Sequence, residues 1–343
     1  MNREYDNYLK TFKYLRLNEF DQIVLDVDSP LKIIDSHIHL SESLPGHKNI
    51  RTIKHYKSKY PTIPPFKEMD LTVPYWTKQD YLQRKYSGFG AFYRFAAEGM
   101  DILKDMHRGG AIENLFKYQK ENHICQSVVL PISTIRTDLS MEALSGSASH
   151  RESLIPFCSV HPGSKNSEKN LRSHVEKGAR GMKLKLRDSE IDKHFNELIR
   201  LLSLCSEFDI PVLFHTGSII NSGNKRGLMN SLLKSTRVQL FEKILKNSPG
   251  NLKLIFGHSG VQEYESVASL MDKYPSTMAE LSSQSENSIR FLIKKAGSER
   301  LLFGSDWPAL PPAITISNVL LATEESLQNR ENILFNNANQ LFN

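Results

Sequence analysis

Leu31-Lys32-Ile33-Ile34-Asp35-Ser36-His37-Ile38-His39 is the stretch whose reading governs the fold. Its apolar start reads as a buried strand, and the Ser- and Pro-containing segment after it reads as a loop. Side chains alternate faces along a strand, so His37 and His39 point the same way, about 6–7 Å apart. A divalent metal can span that bite. His-x-His also occurs on exposed strands and at ordinary loop mouths, so its meaning depends on what the rest of the chain brings to it.

Downstream the chain becomes rhythmic. Apolar segments recur at residues 125–132, 154–160, 179–186, 210–214, 252–256, 277–281 and 300–303. With the first strand at 32–37 they make eight. Amphipathic helical stretches at 167–177, 191–207, 228–246, 261–273 and 285–295 separate most of them, while 138–150 is Ser-rich and only weakly helical. Strands alternating with helices at this spacing pair in parallel through right-handed crossovers. Eight such units are the number that closes a (β/α)8 TIM barrel. The last segment, 324–342, reads as a helix packed outside it.

Two regions stand apart from this rhythm. Residues 1–30 read as a lead-in with a short helix over 8–19, followed by the apolar Ile23-Val24-Leu25. Residues 41–123 form a long insertion after the first strand, rich in Pro, Tyr and Phe, with helices predicted over 76–86, 95–106 and 112–120. A structureless loop of that length is improbable in a compact domain, so it reads as a helical cap. The expected organisation is therefore a lead-in at 1–30 and a barrel at 31–343 that carries the 41–123 insertion.

A barrel of parallel strands carries its active site at the strands' C-terminal ends. The first strand ends in His37-Ile38-His39, the fifth in His215-Thr216-Gly217, the sixth in His258-Ser259-Gly260 and the eighth in Asp306-Trp307-Pro308. Each has an ordinary reading: a lone His after a buried strand is more often a hydrogen-bonded structural residue, and an Asp before Trp-Pro can cap a turn. Their coincidence at one mouth favours a metal. Three His and an Asp suit zinc first, and Mn2+, Fe2+ or Co2+ next. On the fourth strand Lys183 and Lys185 share a face, with Arg187 just beyond; these cations suit a carboxylate-bearing substrate. His161, after the third strand, reads as a structural or rim residue. Glu280 on the seventh fits either a buried or a site-facing position.

Composition narrows the class. The 343 residues are 39% hydrophobic and 24% charged, enough for a sizeable core. No apolar run approaches the roughly 18–20 residues that span a bilayer, and the first residues lack a signal-peptide core, so a cytoplasmic location is expected. Cys125, Cys158 and Cys205 are too few and too far apart for a disulfide framework or a thiolate zinc site. The net charge is +6, yet the basic residues are scattered among nearly as many acids, which speaks against nucleic acid as a partner.

The phrases Ile34-Asp35-Ser36-His37-Ile38-His39, Val212-Leu213-Phe214-His215-Thr216-Gly217, Phe256-Gly257-His258-Ser259-Gly260 and Leu302-Phe303-Gly304-Ser305-Asp306-Trp307-Pro308 together resemble the amidohydrolase superfamily of metal-dependent barrels. They are similar to its amidohydrolase-related branch of hydrolases and decarboxylases, as is the closing Ile333-Leu334-Phe335-Asn336-Asn337-Ala338-Asn339-Gln340-Leu341-Phe342. The resemblance covers 31–39 and about 125 onward, not the lead-in or the insertion. It implies that His37, His39 and His215 bind one metal with Asp306, and that His258 acts as an acid or electrophile beside the substrate. In some relatives a carbamylated lysine on the fourth strand bridges two metals; the one-metal arrangement is the expectation here. A small-molecule substrate is implied, and a homodimer is compatible with it.

Three functions follow as expectations. The first is a hydrolase in which metal-activated water cleaves a lactone, ester or amide, with Asp306 taking the water's proton. The second is a metal-dependent non-oxidative decarboxylase, a carbon-carbon lyase acting on an aromatic or unsaturated acid. The third, a barrel that only binds, sits poorly with a complete ligand set. A two-metal nuclease would want a glutamate where the fourth strand offers lysines.

Overall fold

The computed structural model describes residues 13–18, 23–45, 106–107, 109–217 and 236–343. Strands β1 (Leu15–Leu17) and β2 (Ile23–Leu25) pair antiparallel, Leu15 opposite Leu25. The helix expected over 8–19 is therefore not formed at Leu15–Leu17; residues 8–12 lie outside the described residues. The reason is tertiary: Leu15, Ile23 and Leu25 are buried in one apolar cluster with Ile316 and Leu320 of a late helix, and this packing outweighs local preference.

The eight expected barrel strands are all present: β3 (Ile33–Ile38), β4 (Ile124–Val129), β5 (Leu154–Pro156), β6 (Met182–Leu184), β7 (Val212–His215), β8 (Leu254–Gly257), β9 (Met278–Glu280) and β10 (Leu301–Leu302). All pairings among them are parallel. The ladders form a three-stranded sheet, β3-β4-β5, and a five-stranded sheet from β6 to β10 rather than one continuous ring. A few backbone hydrogen bonds cross each gap. At one, Cys158 N–H donates to Gly181 O at 2.9 Å and Lys183 N–H to Cys158 O at 2.7 Å. At the other, Ser36 N–H donates to Phe303 O at 2.9 Å, Asp306 N–H to His37 O at 2.9 Å and His39 N–H to Trp307 O at 2.7 Å. This second seam brings the first and last strand ends together, and with them His37, His39 and Asp306.

Side chains on alternate positions separate two cores. Val212, Phe214, Leu254 and Phe256 face outward into the helix layer, whereas Leu213, Ile255, Leu302, Ile34 and Phe157 cluster together. The helices are α1 (Ile112–Glu121), α2 (Ser140–Ser147), α3 (Ser167–Glu176), α4 (Asp188–Lys193), α5 (Phe195–Glu207), α6 (Leu240–Lys246), α7 (Tyr264–Lys273), α8 (Glu286–Ala296), α9 (Pro312–Ala322), α10 (Leu327–Glu331) and α11 (Asn337–Phe342). Sequence patterning did not indicate α9. It has no exposed face, because Thr315, Ser317 and Asn318 are buried along with Ala313, Ile316, Val319 and Leu320, and Pro312 opens it where no N–H is needed. The closing segment differs too: Ala338 and Phe342 join the inner cluster, with Phe342 ringed against Phe157 at 5.7 Å, so it stoppers the strands' starting end.

Within the insertion, α1 matches the helix expected over 112–120. The helix expected over 76–86 lies outside the described residues, as does that over 95–106 but for Met106. No helix among the described residues is long and apolar enough to cross a membrane.

The thiols differ sharply. Cys158 and Cys205 are buried, and burial pushes both well above the usual thiol range, while Cys125 is exposed. Because the thiolate is the reactive form, a neutral maleimide should label one cysteine per native chain quickly and three after denaturation. Rapid labelling of three in the native protein would contradict this packing.

Candidate metal centre

Strand ends deliver the site. His37 and His39 follow the same face of β3, and Asp306 reaches them from the turn after β10. His37 Nε2 lies 3.4 Å from Asp306 Oδ1, and His39 Nε2 lies 3.3 Å from the same oxygen. Ligand atoms of these three residues all lie within 4.8 Å of one another. A tetrahedral ion with bonds of about 2.0–2.1 Å holds neighbouring donor atoms about 3.3–3.4 Å apart, so this spacing fits one. Both imidazoles are also aimed for it. His39 Nδ1 donates to Leu130 O at 2.6 Å, and His37 Nδ1 to the Glu280 carboxylate at 2.7 Å, which leaves each Nε2 with its lone pair.

A second cluster adjoins the first: His37, His258 and Glu280 also bring ligand atoms within 4.8 Å of one another. Glu280, the group whose position the sequence left open, is fully buried. Its carboxylate accepts His258 N–H at 3.0 Å, the Ser282 hydroxyl at 3.0 Å and the Ser282 backbone N–H. His215 belongs to neither cluster. Its Nδ1 stands 3.0 Å from His258 Nε2, while His258 Nδ1 stands 2.6 Å from Ser282 Oγ. Both nitrogens of His258 thus face protein partners.

The three cations part company. Lys183 is buried with Nζ 3.2 Å from His37 Nε2, so an ammonium shares the lone pair that an ion would take. Burial lowers its pKa to about 7, against the pull of Asp306 and Glu280. Lys185 and Arg187 are exposed. Arg187 opens α4, its backbone N–H donating to Glu190 at 2.8 Å.

Charge follows from these surroundings. Burial, then Lys183, holds His37 well below the ordinary imidazole range, and burial, then Lys185, does so for His215. Burial likewise lowers His258 to about 3. Neutral imidazole is the form that ligates. Burial pushes the Asp306 carboxyl up, but His37, His39 and His258 outweigh it and hold Asp306 well below the carboxylate range. The site presents acceptors.

The backbone around it is unusual. Asp306, His258 and Ser259 adopt φ of 61°, 57° and 46°, a region costly for most side chains and found at functional sites. Gln284 braces the second turn, its amide donating to His258 O at 2.7 Å and Val261 O at 2.9 Å. Gly217 has no alternative, since a β-carbon there would meet the Gly260 backbone.

Sequence reasoning passed over Asp35, Ser305 and Ser282. Asp35 Oδ1 accepts His37 N–H at 3.1 Å and Ser305 N–H at 2.9 Å, and Oδ2 accepts the Ser305 hydroxyl at 2.6 Å. The carboxylate thereby ties the first strand to the last. The available signal was a charged residue inside an apolar strand, at Asp35 and at Glu280, where burial demands partners.

Parallel strands ringed by helices, with two His and an Asp at their C-terminal mouth, define an α/β barrel with a candidate metal site. The chain belongs to the amidohydrolase family, whose model matches residues 34–343. Solved structures of similar fold include an uncharacterised TIM-barrel protein from Bordetella bronchiseptica, at 15% identity and TM-score 0.53, covering 91% of this chain and 98% of that one. A 2,6-dihydroxybenzoate decarboxylase from Rhizobium aligns at 13% identity and TM-score 0.54, covering 92% and 98%. A 5-carboxyvanillate decarboxylase from Novosphingobium aromaticivorans, complexed with manganese and a nitrobenzoic acid, aligns at 13% identity and TM-score 0.56, covering 90% and 95%. At these identities they share the fold. No curated protein sequence matches the chain.

Proposed function

We propose that this enzyme of the amidohydrolase family is a metal-dependent hydrolase that cleaves a C–O or C–N bond of a small, carboxylate-bearing substrate. The observation that carries the reading is the convergence of His37, His39 and Asp306, with Asp306 held as an anion among imidazoles. His37, His39 and Asp306 would hold the ion, zinc or manganese, with His215 as the further donor. A divalent ion so held acts as a Lewis acid and lowers the pKa of water from about 15.7 towards 7.

The chain's own residues do the rest. Asp306, whose side chain is 17% exposed, is the member that solvent reaches, and one carboxylate oxygen accepts the proton of the attacking water. It then passes that proton to the leaving oxygen or nitrogen. Lys183 and Lys185 offer ammonium groups to the substrate's carboxylate. On this reading 1–30 is a lead-in, 31–343 the catalytic barrel, and the 41–123 insertion the part that selects substrate.

A second reading, non-oxidative decarboxylation, is favoured by one feature. The buried Lys183 ammonium stands at the metal site, where it would pair with a carboxylate and protonate carbon. Decarboxylases of aromatic acids are also among the proteins of similar fold.

Elemental analysis of the purified chain, followed by a substrate screen at neutral pH, tests both. Hydrolysis predicts a bound transition metal and acid release from lactones, esters or amides. Carbon dioxide release from aromatic acids without hydrolysis favours the lyase, and no metal after reconstitution with Zn2+ or Mn2+ removes both.

A further inference from the structure

We infer that Glu280 is a positioning residue that sets the tautomer of two metal-site imidazoles at once: His37 directly, and His215 through a relay of Ser282 and His258. The inference rests on the metal reading above and extends it to residues that would not touch the ion. A carboxylate oxygen only accepts, and a hydroxyl has one proton. Ser282 Oγ donates that proton to Glu280 Oε2 at 3.0 Å, so the same oxygen, 2.6 Å from His258 Nδ1, must accept there. His258 therefore carries its proton on Nδ1 and presents only a lone pair at Nε2. His215 Nδ1, 3.0 Å away, has to be the donor, which leaves His215 Nε2 bare.

The opposite sense is excluded by the same contacts. If the hydroxyl donated to His258, two oxygens with no proton between them would face each other at 3.0 Å where both residues are buried, a cost of repulsion and lost hydrogen bonding. Glu280 thus fixes a lone pair on β3 and, three groups away, another on β7. It also removes His258 from the acid role that the resemblance implied, because neither ring nitrogen is left to offer a proton to substrate.

The test uses the full chain, stripped of metal and labelled with 15N-histidine. In the unaltered protein, long-range 1H–15N spectra should show His37, His258 and His215 protonated on Nδ1. In Ser282→Ala, His37 should keep that form while His258 and His215 become mixtures. The dissociation constant for Zn2+, read by competition with a chromophoric chelator, should rise about 10–100-fold, the usual effect of losing a group behind a ligand. Ser282→Thr, which retains the hydroxyl, should restore both readouts. Should the alanine variant not fold, Ser282→Cys keeps the volume with a poor hydrogen-bonding group and carries the same expectations. An unchanged His215 tautomer, or unchanged Zn2+ affinity, in the folded variant overturns the relay. An unaltered chain that binds neither Zn2+ nor Mn2+ overturns the metal reading instead, and the spectra still decide the relay.

Discussion

Asp306→Asn is expected to lower turnover by about 10²–10⁴-fold, the range for removing a positioned acid-base group, and to weaken metal binding as well. Asp306 Oδ1 is the atom both His37 Nε2 and His39 Nε2 approach, so it is the hub of the proposed ligand set. It is the charged member of that set, and an amide offers an ion no negative charge. It is also the group able to take a proton from water, a role an amide cannot fill. Asparagine is the right replacement because φ at this position is 61°, which Asn tolerates and Ala does not. The variant should keep its circular dichroism and melting behaviour, so that loss of rate is read as chemistry. Full turnover, with metal content unchanged, would remove Asp306 from the mechanism.

Asp35→Ala should destabilise the protein by about 3 kcal/mol or more, seen as a lower midpoint in urea. The carboxylate is the acceptor for His37 N–H, Ser305 N–H and the Ser305 hydroxyl, all in buried surroundings. Alanine leaves these donors unpaired, and each buried orphan costs about 1–3 kcal/mol. The burial of Asp35 itself opposes this figure, since desolvation raises its pKa to about 7, so removing it relieves a cost while creating a larger one. Ser305→Ala should cost less, about 1–2 kcal/mol, because the Ser305 and His37 backbone donors keep their acceptor and, of the backbone donors, only Trp307 N–H, whose bond the hydroxyl accepts at 3.0 Å, loses its partner. A loss under about 1 kcal/mol for the Asp35 variant would mean that the seam between first and last strands is held by the backbone alone.

Alternation of apolar strands with amphipathic helices was enough to count eight parallel strands, because burial on both faces imposes continuous apolar runs separated by helical periods. It failed where tertiary packing overrode local pattern. Leu15–Leu17 pairs with Ile23–Leu25 instead of extending a helix, and α9 is covered on every side, its Thr315, Ser317 and Asn318 buried with its apolar residues, so it carries no clear helical period to read. The motifs at strand ends likewise placed His37, His39 and Asp306 together, as the structure does, because parallel strands deliver their C-terminal residues to one mouth.

What the sequence by itself determined, then, is the kind of chemistry: imidazoles and a carboxylate at strand ends, in an order that resembles one family. Only the tertiary structure decided which of those groups touch one another. Whether His258 faces substrate or His215, whether Lys183 is buried or exposed, and whether Glu280 joins the site depend on contacts between residues up to 243 positions apart, such as His37 and Glu280. Period two along a strand gives a side chain's face, but a hydrogen bond needs donor and acceptor within about 3 Å, and that distance is set by how the strands close on one another.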